Sequence, residues 1–150
     1  MNQPQAAGEL DWLLNDLVDR VDEVRQAVLL SRDGLVMGAS RGVTRKDAEF
    51  LAALSSGFNS LANGAREHFA AKRMRQSVIE FDGLLFFIVP AGNGSCLAAL
   101  SEAGHNAGMV AYEMAILIKR VREHLGATPR SAAADDSGSP VRPHPSAGQR

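Results

Sequence analysis

Apolar residues recur at helical spacing in three segments of this 150-residue chain. The segments are 10–24, 44–69 and 110–126, and in each of them steps of three and four residues bring the apolar side chains onto one face. Thr44 and Asp47 resemble a capping box at the start of the second segment, with Asp in place of the usual Glu or Gln. The pattern therefore predicts three amphipathic helices.

Short apolar or alternating runs lie between these segments and are bounded by turn residues. One pair of runs flanks Asp33-Gly34, a second pair flanks Asp82-Gly83, and a turn at residues 92–94 leads to a last run. Glycine accepts the positive φ that tight hairpin turns require. We therefore expect five strands, over residues 28–30, 35–39, 73–81, 84–89 and 95–100.

The predicted order is helix, two strands, helix, three strands, helix. Short turns join neighbouring strands as antiparallel pairs, so the fold class is α+β, with helices packed on a five-stranded antiparallel sheet. The run 84–89 is apolar at every position, which is typical of a central strand covered on both faces. The run 73–81 has polar residues on both faces and is predicted to be an edge strand.

Composition separates one folded domain from two polar ends. We expect a flexible N-terminus over residues 1–8, a folded domain over 9–126, and a disordered tail rich in Pro, Ser and Ala over 127–150. The single cysteine permits no internal disulfide, and neither a signal peptide nor an apolar run of ~20 residues is present, so we expect a cytoplasmic protein. A net charge of −1 disfavours binding to nucleic acid and to anionic membranes.

The second predicted helix has two distinct faces. One stripe consists of larger apolar side chains: Leu51, Leu54, Phe58, Leu61 and Ala65. The opposite stripe consists of very small side chains: Ala53, Ser56, Gly57, Ser60 and Gly64. A glycine inside a helix costs roughly 1 kcal/mol relative to alanine, and small side chains let helix axes approach closer than the usual ~8–10 Å. We therefore predict that the small stripe is a dimer interface; the alternative is an ordinary solvent-exposed face.

The predicted edge strand offers a second surface for pairing. An exposed edge carries unpaired backbone donors and acceptors, which are either blunted by charge or used for pairing. Arg73, Arg75 and Glu80 could blunt this edge. If the edge pairs instead, the dimer interface includes three further residues of this strand: Met74, Gln76 and Val78.

A local basic cluster extends from the end of the second helix into the edge strand. It consists of Arg66, Lys72, Arg73 and Arg75. Such a cluster could receive an acidic patch on a protein partner and speed the encounter. The alternative is a solvated rim that contacts no partner.

The residues of the folded part do not form a pattern typical of catalysis. His68, His105 and His124 are not spaced as metal ligands, and Cys96 lies in an apolar strand where a buried, inert thiol is expected. Neither a phosphate-binding glycine motif nor a nucleophile elbow is present. We therefore predict no catalytic, cofactor-binding or metal-binding residues, and a protein that is not an enzyme.

Several local strings resemble the Roadblock/dynein light-chain family. They are residues 27–36 at the first hairpin, 79–84 at the second turn, and 109–114 at the start of the last helix. The resemblance covers about residues 9–125. It is strongest to the actinobacterial branch, which is encoded beside a sensor-kinase-like protein and a Ras-like GTPase, and the chain is also similar to MglB-type bacterial regulators.

This resemblance implies a Roadblock/profilin-like fold and a homodimer in which the second helices pair and the edge strands join two sheets. It also implies a non-enzymatic adaptor or regulator of a Ras-like small GTPase in bacterial signalling, which acts on the switch regions or the nucleotide cycle. The sensor-kinase-like protein would be a further partner, and membrane recruitment would occur only through partners.

The C-terminal tail departs from the pattern of some family members. Some MglB-type proteins use a structured C-terminal extension on the GTPase, and the tail predicted here differs from it, which disfavours an activating mechanism but leaves binding unaffected.

The alternative function is a small-molecule sensing module of similar α+β shape. Such a module needs a cavity of ~300 Å³ or more with convergent polar groups.

Overall fold

The computed structural model describes residues 5–104 and 107–126, and its elements follow the predicted order. The helices are α1 (Gln5–Arg20), α2 (Arg45–His68) and α3 (Ala107–Gly126). The strands are β1 (Val24–Leu30), β2 (Val36–Ala39), β3 (Ser77–Phe81), β4 (Leu84–Gly92) and β5 (Ser95–Glu102). All neighbouring strands are antiparallel, in the order β2-β1-β5-β4-β3. The predicted α+β class with a five-stranded antiparallel sheet is confirmed.

The predicted ends of the chain stay predictions. α1 begins at Gln5, within the expected flexible N-terminus of residues 1–8, while residues 1–4 and the predicted tail of 127–150 lie outside the described residues. None of the described helices is both long enough and apolar enough to cross a bilayer.

Several boundaries differ from the prediction, and two of the differences have a clear physical reason. Val24 begins β1 instead of ending α1, and its N–H donates to the Val21 C=O at 3.0 Å across a turn. Val21 and Val24 are buried in this turn, and they would also be buried if the helix continued to residue 24. Hydrophobic periodicity alone therefore could not distinguish the turn from a longer helix. β3 begins at Ser77, not at residue 73, because continuing the β3–β4 register would place Arg75 opposite Pro90, which has no N–H to donate.

The sheet separates two apolar layers. α1 and α3 pack on one face, where the larger core includes Leu14, Leu29, Phe87, Leu97 and Met114. α2 packs on the other face over a smaller core that includes Val28, Leu30, Phe86 and Ile88. β5 is the central strand, and β4 lies between β5 and β3 with residues 85–88 buried on both faces.

Local turn and cap chemistry agrees with the sequence. Thr44 is the N-cap of α2, and its Oγ1 accepts a hydrogen bond from the Asp47 N–H at 3.1 Å. Asn93 and Gly94 adopt φ values of 57° and 83° between β4 and β5. Two successive positive φ values make the tight turn that matches the twist of a hairpin.

α2 ends in a Schellman motif that has an alanine where glycine is preferred. The Ala71 N–H donates to the Arg66 C=O at 2.9 Å, and the Ala70 N–H donates to the Glu67 C=O at 3.2 Å. Ala70 therefore adopts φ 57°, a left-handed conformation that brings its Cβ close to the following carbonyl oxygen. The motif fixes the direction in which the chain leaves α2.

We expect Ala70→Gly to stabilise the protein by about 0.5–1 kcal/mol, because glycine adopts this conformation without the steric cost. Urea unfolding followed by circular dichroism measures the change. Ala71→Gly, one residue further on and outside the left-handed position, is the matched control and should bring no gain. Equal effects of the two substitutions would contradict the strain at Ala70.

Two aspartates on α1 tie the helix to its neighbours. Asp16 Oδ2 accepts hydrogen bonds from Arg20 Nε at 2.8 Å and from the Arg120 guanidinium of α3 at 2.6 Å. Asp19 pairs with Arg41 beyond β2 at 2.8 Å. Hydrogen bonds from Arg20 and then from Arg120 lower the pKa of Asp16 below its ordinary value of 3.8.

We expect Asp16→Asn to destabilise the protein by up to about 1 kcal/mol at neutral pH, the range of partly exposed ion pairs. A lowered carboxyl pKa contributes stability that is present above the ordinary pKa and is lost as pH falls through the folded value. The difference in Tm from wild type should therefore be constant above about pH 5 and disappear in strong acid. Asp22→Asn, at an exposed position, is the control; a Tm difference that instead changed between pH 6 and 8 (roughly the histidine range) would exclude this cause.

Candidate interaction site

The outward side of α2 carries large apolar side chains that the rest of the described chain leaves uncovered. Phe50 is 65% exposed, Leu54 36% and Leu61 72%. Gly57 lies between Leu54 and Leu61, and Gly64 lies three residues after Leu61, so both continue the same helical spacing. Both glycines are exposed. We call these five residues the outer stripe. It forms an apolar ridge with two notches of bare backbone.

The inward side of α2 is small and polar. Ala48, Leu51 and Ala52 enter the core from the first two turns, but the next inward residues are Ser55 and Asn59. The Oγ of Ser55 and the Oδ1 of Asn59 are buried and have no hydrogen-bond partner among the described protein atoms. A buried polar atom without a partner costs about 1–3 kcal/mol. Beyond Ser55, the inward side of α2 is therefore polar apart from the half-buried Phe58, and the outward side carries exposed apolar residues.

This orientation divides the apolar stripe that the sequence predicts. Leu51 is buried, and the half-buried Phe58 meets the Phe86 ring edge-on at a centroid distance of 6.2 Å. Leu54, Leu61 and Ala65 are exposed. Apart from Leu51, the helix therefore faces the sheet with small side chains that permit a close approach, and its other bulky residues lie on its flank and outer side.

The small stripe lies mostly in open space. Its exposed members are Ala53, Gly57, Ser60 and Gly64. Ser56 is half-buried instead, and its Oγ lies 3.3 Å from the position that a Cβ would take on Gly34. A Cβ added at Gly57 or Gly64 would meet nothing within 4 Å. The glycines are thus not required by packing inside one described chain, and their role as a dimer interface stays a prediction.

The two edges of the sheet differ in how their backbone groups are bonded. At β2, Asp11 Oδ1 accepts the Ala39 N–H at 2.9 Å and Asn15 Oδ1 accepts the Arg41 N–H at 2.6 Å. α1 can lie this close because a Cβ on Gly38 would come within 3.3 Å of the Asp11 carboxylate. Side chains of α1 therefore seal the β2 edge.

β3 forms the open edge. It pairs with β4 alone among the described strands, and Val78, Glu80 and Phe81 are exposed. Met74 and Gln76, expected within this strand, precede it in the α2–β3 loop. The prediction that they lie on the edge strand is therefore wrong, although they remain next to it. Their place in a dimer interface is untested.

The predicted basic cluster lies on this loop. Lys72, Arg73 and Arg75 are exposed and form no ion pair within the part of the chain that is described. Arg66 differs, because it is half-buried and bonds to its helix neighbours Asn63 and Glu67. Residues 69–79 contain three cations and no acidic residue, in a chain of net charge −1. The loop is therefore a concentrated positive patch.

Phe50 and Phe81 were not singled out from the sequence, whereas Phe69 was expected to pack in the core, as a lone aromatic residue of an amphipathic helix usually does. That expectation for Phe69 is wrong. Phe50 extends the outer stripe, Phe81 is exposed at the end of β3, and Phe69 is 75% exposed beside the basic loop. Phe50 could have been found, since it lies four residues before Leu54 and seven before Gly57. The exposure of Phe69 and Phe81 depends on the loop and on the strand end, which no local pattern specifies.

A cleft of about 720 Å³ lies at the β2 edge, between the middle of α1 and the start of α2. It is large enough for a small molecule. Its polar groups already have partners: Asp11 and Asn15 bond to the β2 edge, and Arg45 pairs with Glu49 at 3.2 Å. The cleft therefore has volume but few free groups for recognition.

Groups able to do chemistry are not gathered at any of these surfaces. Cys96 is buried under α2, and this burial raises the pKa of its thiol. Among residues 5–104 and 107–126, no three His, Cys, Asp or Glu side chains are placed to hold a metal ion.

The sequence-family model of the Roadblock/LC7 domain matches residues 10–101 of this chain, from within α1 to near the end of β5. The chain belongs to the Roadblock/LC7 family. Among solved structures it is similar to a Roadblock/LC7 domain from Streptomyces avermitilis, with 44% identity over 78% of this chain and 98% of that one and a TM-score of 0.74. The comparison with curated proteins gives no match.

MglB proteins share the Roadblock fold seen here. Myxococcus xanthus MglB is 10% identical over 89% of this chain and 99% of that one, with a TM-score of 0.76. The gliding protein MglB from Thermus thermophilus is 15% identical over 83% and 96%, with a TM-score of 0.68. The resemblance inferred from the hairpin strings is confirmed, and Roadblock domains are regulatory and not catalytic.

Proposed function

We propose that this Roadblock protein is a homodimeric, non-enzymatic adaptor that binds a Ras-like small GTPase in bacterial signalling. The observation that carries the proposal is the outer stripe of α2. A helix that turns its large apolar residues away from its own sheet leaves a contiguous apolar patch, which is a mark of an interaction surface. The family resemblance supports the same surface.

A second copy of the chain suits this patch. The notches at Gly57 and Gly64 would let a facing helix approach closely, and the open β3 edge next to them could pair with its own copy. Covering the exposed fractions of Phe50, Leu54 and Leu61 on two copies contributes roughly 5–10 kcal/mol. Association costs roughly 4–15 kcal/mol, so helix contact alone is marginal and strand pairing through β3 would supply the remainder.

We expect Gly57→Leu to convert the dimer to monomers, because the leucine fills the notch that a facing helix needs. In a single chain the site is open, and leucine is the better helix former by roughly 1 kcal/mol, so the monomer should stay folded. Light scattering measures the mass, and dilution tests whether Tm depends on concentration.

Gly108→Leu on α3 is the matched control, since a Cβ there also meets nothing within 4 Å. It should leave the mass unchanged. A Gly57→Leu protein that keeps the mass of two chains would exclude α2 pairing, as would a wild type that is monomeric at micromolar concentration.

The GTPase is proposed from the family resemblance and from the basic loop. Lys72, Arg73 and Arg75 would lie beside the dimer interface, where rim cations steer an acidic partner and set the salt dependence of association. The sensor-kinase-like protein is proposed as a second partner. A cytoplasmic location with membrane recruitment through partners belongs to the same proposal.

We expect the Ras-like GTPase encoded nearest to this chain to bind it, and the triple variant Lys72→Glu, Arg73→Glu, Arg75→Glu to associate about tenfold more slowly at low salt. Surface plasmon resonance with the GTPase in its GDP and GTP forms measures both rates. Lys119→Glu, an exposed cation on α3, is the control and should have little effect. Absence of binding in either nucleotide form would overturn the adaptor proposal; an unchanged rate in the triple variant would remove only the basic loop from it.

A further inference from the structure

A tryptophan lies half-exposed on the face of the molecule opposite to α2. Trp12, on α1, is the only tryptophan of the chain and is 49% exposed. The Arg120 guanidinium lies over its ring at 5.3 Å from the centroid, and the His124 ring meets it edge-on at 5.8 Å. Asp16 holds Arg120 in place at 2.6 Å. The indole is therefore fixed in its exposed position by neighbours on α3.

The indole forms one wall of a small cavity. The cavity has a volume of about 270 Å³ and is lined by Trp12, Leu13, Arg120, Glu123 and His124, which we call the Trp12 shelf. It is just smaller than typical small-molecule sites. Glu123 is exposed and forms no ion pair within the described residues. The shelf thus offers an apolar ring next to a free carboxylate.

We propose that residues 140–145 of this chain's own tail dock on the Trp12 shelf. Their sequence is Pro-Val-Arg-Pro-His-Pro, in which Pro140 and Pro143 form a P-x-x-P pattern. Prolines at this density favour the extended polyproline II conformation, which aromatic-lined grooves bind at little entropic cost. Arg142 supplies a cation for Glu123, so the segment also complements the shelf in charge.

The position of the shelf favours the chain's own segment over an external one. α3 ends at Gly126, two residues after His124, so the tail begins beside the shelf. Treated as a flexible coil, the 14 residues from Gly126 to Pro140 span about 20 Å, which is enough to fold back. Tethering at this distance gives an effective concentration of about 1 mM or more, so even a weak polyproline contact would be mostly formed.

This inference does not rest on the proposed dimer or on its GTPase. The shelf is built from α1 and α3, whereas the outer stripe belongs to α2 on the other side of the sheet. Docking would cover the indole of Trp12, and the indole would become exposed when another protein bound the tail. The tail would then compete with any proline-rich ligand for the same indole.

Trp12 is the sole source of tryptophan fluorescence, so its exposure can be measured in the full-length protein. We expect the triple variant Pro140→Ala, Pro143→Ala, Pro145→Ala to raise acrylamide quenching of Trp12 about twofold, because the docked segment no longer shields it. The triple variant Ser137→Ala, Ser139→Ala, Ser146→Ala changes the same stretch without touching a proline and should match wild type. Equal quenching in all three proteins would overturn the proposal.

A spin label locates the segment directly. Ser146→Cys can be labelled selectively under native conditions, because Cys96 is buried and burial raises its thiol pKa. We expect the label to broaden the indole N–H signal of Trp12, and the three Pro→Ala changes to abolish the broadening. A mixture of labelled chains and isotopically enriched unlabelled chains identifies the occupant. Broadening across chains, or none at all, would overturn docking within one chain.

Discussion

The way in which α2 lies on the sheet is the constraint on which the other surfaces of this molecule depend. Ala48, Ala52 and Ser55 are small enough for the helix to approach the strands closely, and Leu51 is the one large apolar residue of α2 that is buried with them. The other bulky apolar residues of α2 lie on its flank or its outer side. Phe58 packs at the flank against Phe86, and the outer stripe faces away from the sheet. The exposed apolar surface of α2 is thus a direct result of the packing inside one chain.

Local chemistry allowed most of the fold to be predicted, and long-range packing explains what was missed. Turn residues such as Asn93-Gly94 and the Thr44 cap act over a few residues, so the order of elements could be read directly. The start of β3 depends on Pro90 of another strand, and the division of the α2 stripe into buried and exposed residues depends on how the helix packs on the sheet. Neither could be predicted from the sequence of β3 or of α2 alone. For the candidate site, the small residues of α2 could be identified and Phe50 could have been added by its spacing, but the exposure of Phe69 and Phe81 required the fold.

The molecule has two unlike exposed surfaces separated by its sheet. On one side, α2 and β3 offer aliphatic bulk, bare helical backbone and a free strand edge next to the basic loop. On the other side, an oriented indole is framed by arginine, histidine and glutamate on α3. Surfaces on opposite sides of the sheet can be occupied independently, and the chemistry of these two surfaces differs.

Asp11 and Asn15 accept hydrogen bonds from backbone N–H groups at the β2 edge, which limits the addition of a further strand there. A chain with two available edges could add neighbours at both ends and polymerise into a fibre. Here the outward N–H groups of Ala39 and Arg41 at the β2 edge already have partners, whereas the β3 edge is open. In the proposed dimer, joining two β3 edges would use up both, so a carboxylate and an amide on α1 would be enough to stop growth at a closed pair.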